Sequence, residues 1–198
     1  MKICFFGDSF TNGTGDEACL GWAGRVCLAG RSAGKDITYY NMGVRGDTSA
    51  DILARWQQEA NRRLPKGEKC GLVFSFGTND CAAGEDGRAR LPQTDRLKNA
   101  RAVLVAAPKV WPTLMVGPVP VINDETANKR IADLSRQMGA LAKAHKVPYL
   151  EVFDAIRDNQ PWQEECSKGD GTHPGSAGYA LIADMVAAWP AWQDWMAA

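Results

Sequence analysis

The chain has 198 residues, 45% of them apolar and 23% charged, which is the composition of one globular domain with enough apolar material to bury a core. Its 23 basic residues match its 23 acidic ones and no long run of either sign occurs, which argues against nucleic acid or an anionic membrane as principal partner. No apolar stretch approaches the roughly 20 residues of a membrane span, and the run Ile3–Phe6 stops at Gly7 without the layout of a signal peptide, so a cytoplasmic location is expected.

Short apolar runs alternate with longer segments of helical period. Residues 2–7 (KICFFG) read as the first strand, followed by a helical segment over 21–30 with Trp22, Val26 and Ala29 on one face. Residues 37–41 (ITYYN) are the second strand, and 50–64 carry Ile52, Leu53, Trp56, Ala60 and Leu64 at helical spacing. A third strand over 71–76 (GLVFSF) precedes a helix over 96–107, and a fourth over 113–117 (TLMVG) precedes one over 128–144. The fifth strand, 147–150 (VPYL), is followed by a helix over 176–189 and a Trp-rich tail whose Trp189, Trp192 and Met196 suit a docked last turn. This alternation predicts an α/β fold: a parallel sheet of about five strands with helices on both faces, since parallel strands need crossover connections. No repeat or composition break divides residues 1–198, so a single domain is expected. The six cysteines, Cys4, Cys19, Cys27, Cys70, Cys81 and Cys166, form no C-x-x-C pair and are expected to be free thiols.

In such sheets ligands gather beyond the carboxyl ends of the strands. Three predicted strands end in polar residues, GDSFTNG, NMGVRGDTS and GTND, and a fourth cluster, KGDGTHPG, precedes the helix over 176–189. Of the two histidines, His145 lies near the end of an amphipathic helix and suits interaction with the helix C-terminus. His173 lies three residues after Asp170 in a Gly-rich loop, a spacing at which the carboxylate can accept from Nδ1 and leave Nε2 free as a base. Ser9 stands just past the first strand, where a hydroxyl becomes a nucleophile once a neutral imidazole takes its proton. Its backbone N–H, the N–H of Gly43 and the side-chain amide of Asn79 are three candidate donors for an oxyanion.

Gly7-Asp8-Ser9-Phe10, Asn41 with Gly43, Gly77-Thr78-Asn79-Asp80 and Asp170-Gly171-Thr172-His173-Pro174 resemble the four ordered blocks of the SGNH hydrolases, the GDSL-like lipase/acylhydrolase family. The resemblance spans almost the whole chain and implies a flavodoxin-like three-layer α/β/α fold over residues 1–198. It further implies a serine hydrolase of esters or thioesters that acts through an acyl-enzyme and needs no metal or cofactor. Ser9 would be the nucleophile, His173 the general base and then acid, Asp170 its orienting partner, with the oxyanion hole made by Ser9, Gly43 and Asn79. Phe10 stands where the family more often has Leu or Ile, and the short chain leaves little sequence for a lid.

The substrate side is less specified. Val119, Pro120 and Val121 follow the fourth strand and suit the wall of an apolar acyl pocket, and Arg45 suits either an anionic substrate or open solvent. The expected partner is a small acyl ester or thioester, including carbohydrate acetyl esters, and the Trp-rich tail leaves a homo-oligomer open. Three rival readings remain. GRSAG (30–34) matches a nucleophile elbow, but a helix precedes it where that motif needs a strand. SFTNGTGD suits the hydroxyl-rich phosphate loop of a flavin-binding flavodoxin-like protein. The third is a binder of the same fold without turnover.

Overall fold

The computed structural model describes residues 1–84 and 86–197. In chain order its elements are β1 (Lys2–Gly7), α1 (Ser9–Asn12), α2 (Gly21–Ser32), β2 (Thr38–Gly43), α3 (Ser49–Arg63), β3 (Cys70–Ser75), α4 (Thr78–Cys81) and α5 (Gln93–Ala106). There follow β4 (Thr113–Val116), α6 (Glu125–Ala144), β5 (Tyr149–Leu150), α7 (Phe153–Arg157), α8 (Gln160–Lys168), α9 (Ser176–Ala188) and α10 (Pro190–Ala197). The five strands form one parallel sheet in the order β2-β1-β3-β4-β5, with Gly7 level with Gly43 on one side and Ser75 on the other. The order changes direction at β1, so the crevice at the carboxyl ends of β1, β2 and β3 is the topological switch point of the sheet.

Side chains alternate across the sheet and feed two cores. Cys4, Phe6, Leu72, Phe74 and Met115 face α3, α5 and α6, where Ile52, Trp56, Val103, Ile131 and Met138 meet them. Ile3, Phe5, Val73, Leu114 and Val116 face α2, α9 and α10, where Trp22, Val26, Tyr179, Ile182 and Trp192 meet them. The result is the expected three-layer α/β/α fold. Helix starts are fixed by local chemistry: Thr48 and Asp51 form a reciprocal capping box on α3, and Asp124 and Asn159 cap α6 and α8 with their side chains.

All five expected strands are present within a few residues of their expected bounds. The edge strand β5 is reduced to Tyr149–Leu150, beside Pro148, which has no N–H to give a ladder. The short helices α1, α4, α7 and α8 lack an apolar period long enough to be read from sequence. The Trp-rich tail forms an eight-residue helix, α10, with Trp192 3% exposed against Phe5 and Trp195 packed over Gly71. All six cysteines are free. No helix among the described residues is long and apolar enough to cross a membrane.

Trp56 is fully buried on α3 and meets Phe74 edge-on, ring centroids 5.7 Å apart. Trp56→Ala should therefore cost about 3–5 kcal/mol, read as a lower urea midpoint with an unchanged denaturant slope.

Candidate active site

Two glycines let a helical turn sit directly on the strand ends. A Cβ at Gly7 would lie 2.0 Å from Thr11 Oγ1 and 2.3 Å from the Ser75 carbonyl oxygen, and a Cβ at Gly43 would lie 2.2 Å from the Asn12 nitrogen. Contacts below about 3 Å are not found for real side chains, so only glycine at both positions allows α1 to close over β1, β2 and β3. Asp8 caps that turn, its Oδ1 accepting from the Phe10 N–H at 3.0 Å, and Ser9 is the first helical residue. The Ser9 N–H thus heads a first turn, where helix amides have no acceptor inside the helix.

The Ser9 hydroxyl reaches the loop before α9. Ser9 Oγ lies 2.7 Å from His173 Nε2, and His173 Nδ1 lies 2.7 Å from Asp170 Oδ2. Asp170 Oδ1 accepts the backbone N–H groups of Thr172 at 3.0 Å and His173 at 2.9 Å, which folds the four-residue turn around the carboxylate. Burial acts to raise the Asp170 carboxyl, but the hydrogen bonds from the His173 backbone and ring and from Thr172 outweigh it and bring it down to about 2. An ionised carboxylate on Nδ1 holds the neutral ring in the tautomer whose Nε2 lone pair is left as an acceptor. Phe10 lies against this ring, centroid to centroid 5.0 Å, and stacks on Trp162 at 6.0 Å.

The loop between α1 and α2 is anchored by Asp16, a residue that the sequence did not single out. Its carboxylate accepts from the Gly21 N–H at 2.7 Å, from Ser176 Oγ at 2.7 Å and from the Arg25 guanidinium. Burial works against its charge, yet the bonds from Arg25, Ser176 and Gly21 hold it well below the usual carboxylate range. Tyr179 Oη donates to the Thr14 carbonyl at 2.7 Å, so α9 and this loop are tied together at two points beside His173.

The other candidate donors come from β2 and α4. The Gly43 N–H donates to Asn41 Oδ1 at 3.0 Å, and Asn41 Nδ2 donates in turn to the Asn12 carbonyl at 3.1 Å. Asn79 Nδ2 gives one hydrogen to the Asp47 carbonyl at 2.9 Å, which fixes the amide plane and leaves the second hydrogen of that NH₂ to another acceptor. Next to it, Asp80 is fully buried; its Oδ1 accepts the Ser49 N–H at 2.7 Å while Oδ2 has no partner among the described residues.

The remaining expected residues distribute differently. Arg45 Nη2 lies 3.2 Å from Asp170 Oδ2, an exposed ion pair at the rim. Arg45, Asp170 and His173 share a cleft of about 430 Å³ with Glu17, Glu165 and Lys168. Val119 and Pro120 are buried, the Val119 carbonyl accepting from Thr78 Oγ1 at 2.8 Å. Val121 lines a separate cleft of about 370 Å³ with Asn123, Arg157 and Gln163. His145 is the C-cap of α6. Ser32 ends α2, and Gly34 has φ +81, so GRSAG is a helix terminus and turn and not a strand-to-helix elbow. Among the described residues no group of three or more His, Cys, Asp or Glu side chains is arranged to hold a metal ion.

Burial raises the Asp8 carboxyl to about 7; the Phe10 N–H opposes the rise and the nearby Asp80 charge adds to it. A carboxyl whose folded pKa exceeds its unfolded value of about 3.9 binds more protons folded than unfolded, so stability falls as pH climbs from about 4 to 7. Asp8→Asn keeps an acceptor for the Phe10 N–H and removes the charge. Relative to wild type, its unfolding free energy should rise by about 1–3 kcal/mol between pH 4.5 and 7.5; parallel pH profiles in urea titrations would refute this.

No curated protein sequence matches the chain. Solved structures do. A lipase/acylhydrolase from Enterococcus faecalis is 24% identical with a TM-score of 0.72, over 94% of this chain and 93% of that one. TesA is 22% identical with a TM-score of 0.77 over 98% and 99%, and a catalytic mutant of an acetylxylan esterase from Geobacillus stearothermophilus is 19% identical with a TM-score of 0.73 over 93% and 91%. At these identities the likeness establishes a shared fold. The family model described as GDSL-like Lipase/Acylhydrolase matches residues 5–181, from the end of β1 into α9, and so contains every strand end that carries a polar cluster. The chain therefore belongs to the GDSL-like lipase/acylhydrolase family, and is a hydrolase of ester bonds.

Proposed function

We propose that the protein hydrolyses small acyl esters through an acyl-enzyme on Ser9, with His173 as the proton carrier and Asp170 as its orienting partner. The observation that carries this reading is the unbroken chain Ser9 Oγ–His173 Nε2–Asp170 Oδ2, with both links at 2.7 Å. In the first half-reaction Oγ forms a bond to the carbonyl carbon while its proton passes to Nε2, and the carbonyl electron pair moves onto oxygen. Collapse of that oxyanion expels the alcohol oxygen, which takes the proton from Nε2 and leaves Ser9 acylated. Water then attacks the acyl carbon, gives its proton to Nε2, and collapse returns that proton to Ser9 Oγ with release of the acid. The Ser9 N–H and the second hydrogen of Asn79 Nδ2 serve the oxyanion; the Gly43 N–H joins them by sharing itself between Asn41 Oδ1 and the oxyanion.

The cleft beside His173 favours a polar alcohol portion. Its walls include Glu17, Arg45, Glu165 and Lys168, with Thr14 and glycines between them. Such a surface hydrogen-bonds hydroxyl groups and gives a long acyl chain little apolar area to bury. Acetyl esters of a carbohydrate fit this better than lipids, in keeping with the acetylxylan esterase among the structural neighbours.

Purified protein should hydrolyse p-nitrophenyl acetate faster than the butyrate, with Ser9→Ala and His173→Ala each reducing kcat by at least about a thousandfold. Turnover that survives Ser9→Ala would remove Ser9 as the nucleophile, and no turnover in the wild type, with an acetylated oligosaccharide bound intact, would move the protein to the binding reading. Asn79→Ala should lower kcat by about a hundred- to a thousandfold; a loss under threefold would remove Asn79 from the oxyanion role. Because the base must be neutral, kcat/KM should climb with pH across the range in which imidazoles lose their proton, about pH 5 to 8. Asp170, ionised down to about pH 2, contributes nothing to that limb, and a flat profile would exclude a histidine base.

A further inference from the structure

Arg55 on α3 touches supports of several reaction groups at once. Its Nη2 donates to two strand-end carbonyls, Met42 at 2.8 Å and Gly7 at 3.1 Å. Its Nε donates to Asp47 Oδ2 at 2.7 Å and its Nη1 to Glu59 Oε1 at 3.3 Å. The guanidinium lies 5.8 Å from the centroid of the Phe6 ring and its side chain is 19% exposed.

Each of the three inward contacts leads to a proposed oxyanion donor. The Met42 carbonyl and the Gly43 N–H belong to one planar peptide and point in opposite directions, so holding the oxygen fixes where that N–H is aimed. Asp47, held by Nε, is the residue whose backbone carbonyl takes one hydrogen of Asn79 Nδ2 and so sets the plane of that amide. The Gly7 carbonyl ends β1 two residues before Ser9, and the same Nη2 ties it to the end of β2. These bonds leave the forked, planar donor set of a guanidinium almost fully used, and a lysine ammonium cannot match that geometry.

We propose that Arg55 is a positioning residue for the oxyanion hole: it sets the Met42–Gly43 peptide and, through Asp47, the Asn79 amide, without itself meeting the substrate. This rests on the serine-hydrolase reading above. A bland role, an arginine that only neutralises strand-end carbonyls, predicts lost stability and unchanged kcat in whatever fraction stays folded. A positioning role predicts lost kcat in folded protein, because a donor displaced by about an ångström no longer meets the developing charge.

The test is steady-state hydrolysis of p-nitrophenyl acetate by wild type, Ser9→Ala, Asn79→Ala, Arg55→Lys, Arg55→Met and the Arg55→Met/Asn79→Ala pair, with circular dichroism and Tm for each. Arg55→Met should lower kcat by about ten- to a hundredfold with KM changed less than about threefold. The acid limb of kcat/KM against pH should stay in place, since His173 and Asp170 are untouched. Arg55→Lys, which keeps a cation without the fork, should lie between Arg55→Met and wild type. The double variant should lose far less than the product of the single losses, because Arg55 acts partly through Asn79. A folded Arg55→Met with kcat within threefold of wild type, or losses that multiply in the double variant, would overturn the inference while Ser9→Ala remains inactive. If Arg55→Met does not fold, Arg55→Lys decides: near-wild-type kcat overturns the proposal, and a reduced kcat with an unmoved acid limb supports it. Turnover that survives Ser9→Ala would overturn the hydrolase reading and this inference with it.

Discussion

The close approach of a backbone turn to the ends of three strands is the constraint on which the rest of this site depends. Gly7 and Gly43 carry no side chain because the Thr11, Ser75 and Asn12 atoms stand where a Cβ would be. Glycine is costly in a strand, by roughly 0.5–1 kcal/mol each relative to alanine, so two of them at level positions in neighbouring strands are explained by the turn they admit. With α1 seated there, the start of its first turn carries a side-chain hydroxyl and a free backbone N–H at the same point. The sheet order makes that point the switch-point crevice, into which the loops after β2 and β3 also open.

Around this turn lie four aspartates, and their surroundings divide them into two kinds. Asp16 and Asp170 are held ionised by bonds that outweigh burial: from Arg25, Ser176 and backbone amides to the first, from His173 and its turn to the second. Asp8 and Asp80 are deeper, meet backbone amides, and are both shifted upward by burial, Asp8 also by the Asp80 charge. Only Asp170 reaches the imidazole. The carboxylate that meets His173 is thus one of the two held charged near neutral pH, while the acid adjacent to Ser9 in sequence serves as a helix cap.

Strand existence was legible because fully buried parallel strands are short apolar runs, and ICFF, LVFS and TLMV can hardly be anything else beside amphipathic helices. The ends were legible for a related reason: polar residues right after such a run must sit at the rim. Ser9 falls in this class; Asp170 and His173 do not, since they follow α8, and their place beside Ser9 followed from the resemblance of the blocks, not from any spacing between positions 164 residues apart. What escaped the sequence has one physical cause. Asp16 and Arg55 act through contacts distant in sequence, Asp16 with Ser176 Oγ and Arg55 with the Gly7 and Met42 carbonyls, and an arginine in a helix that reads QQEANRR looks like any solvated charge. The apolar triplet Val119, Pro120 and Val121 is a similar case, since apolar character does not reveal whether a residue faces a cleft or the core.

Rigid and pliant parts of the site are built from different materials. The groups proposed to meet the reacting carbonyl hang from strand ends and first helical turns, each with its backbone or amide plane fixed by at least one further bond. The cleft that would receive the alcohol portion is walled by Glu17, Arg45 and Lys168, long side chains that are exposed on loops or at a helix end. Ordering such side chains around a ligand costs roughly 0.5–1.5 kcal/mol apiece, so affinity for the alcohol portion is modest unless several hydroxyl groups are engaged together. A small acyl group adds little apolar area to compensate. The chemistry of such a site is therefore set by fixed backbone geometry, and its selectivity by how many polar contacts one alcohol can make at the rim.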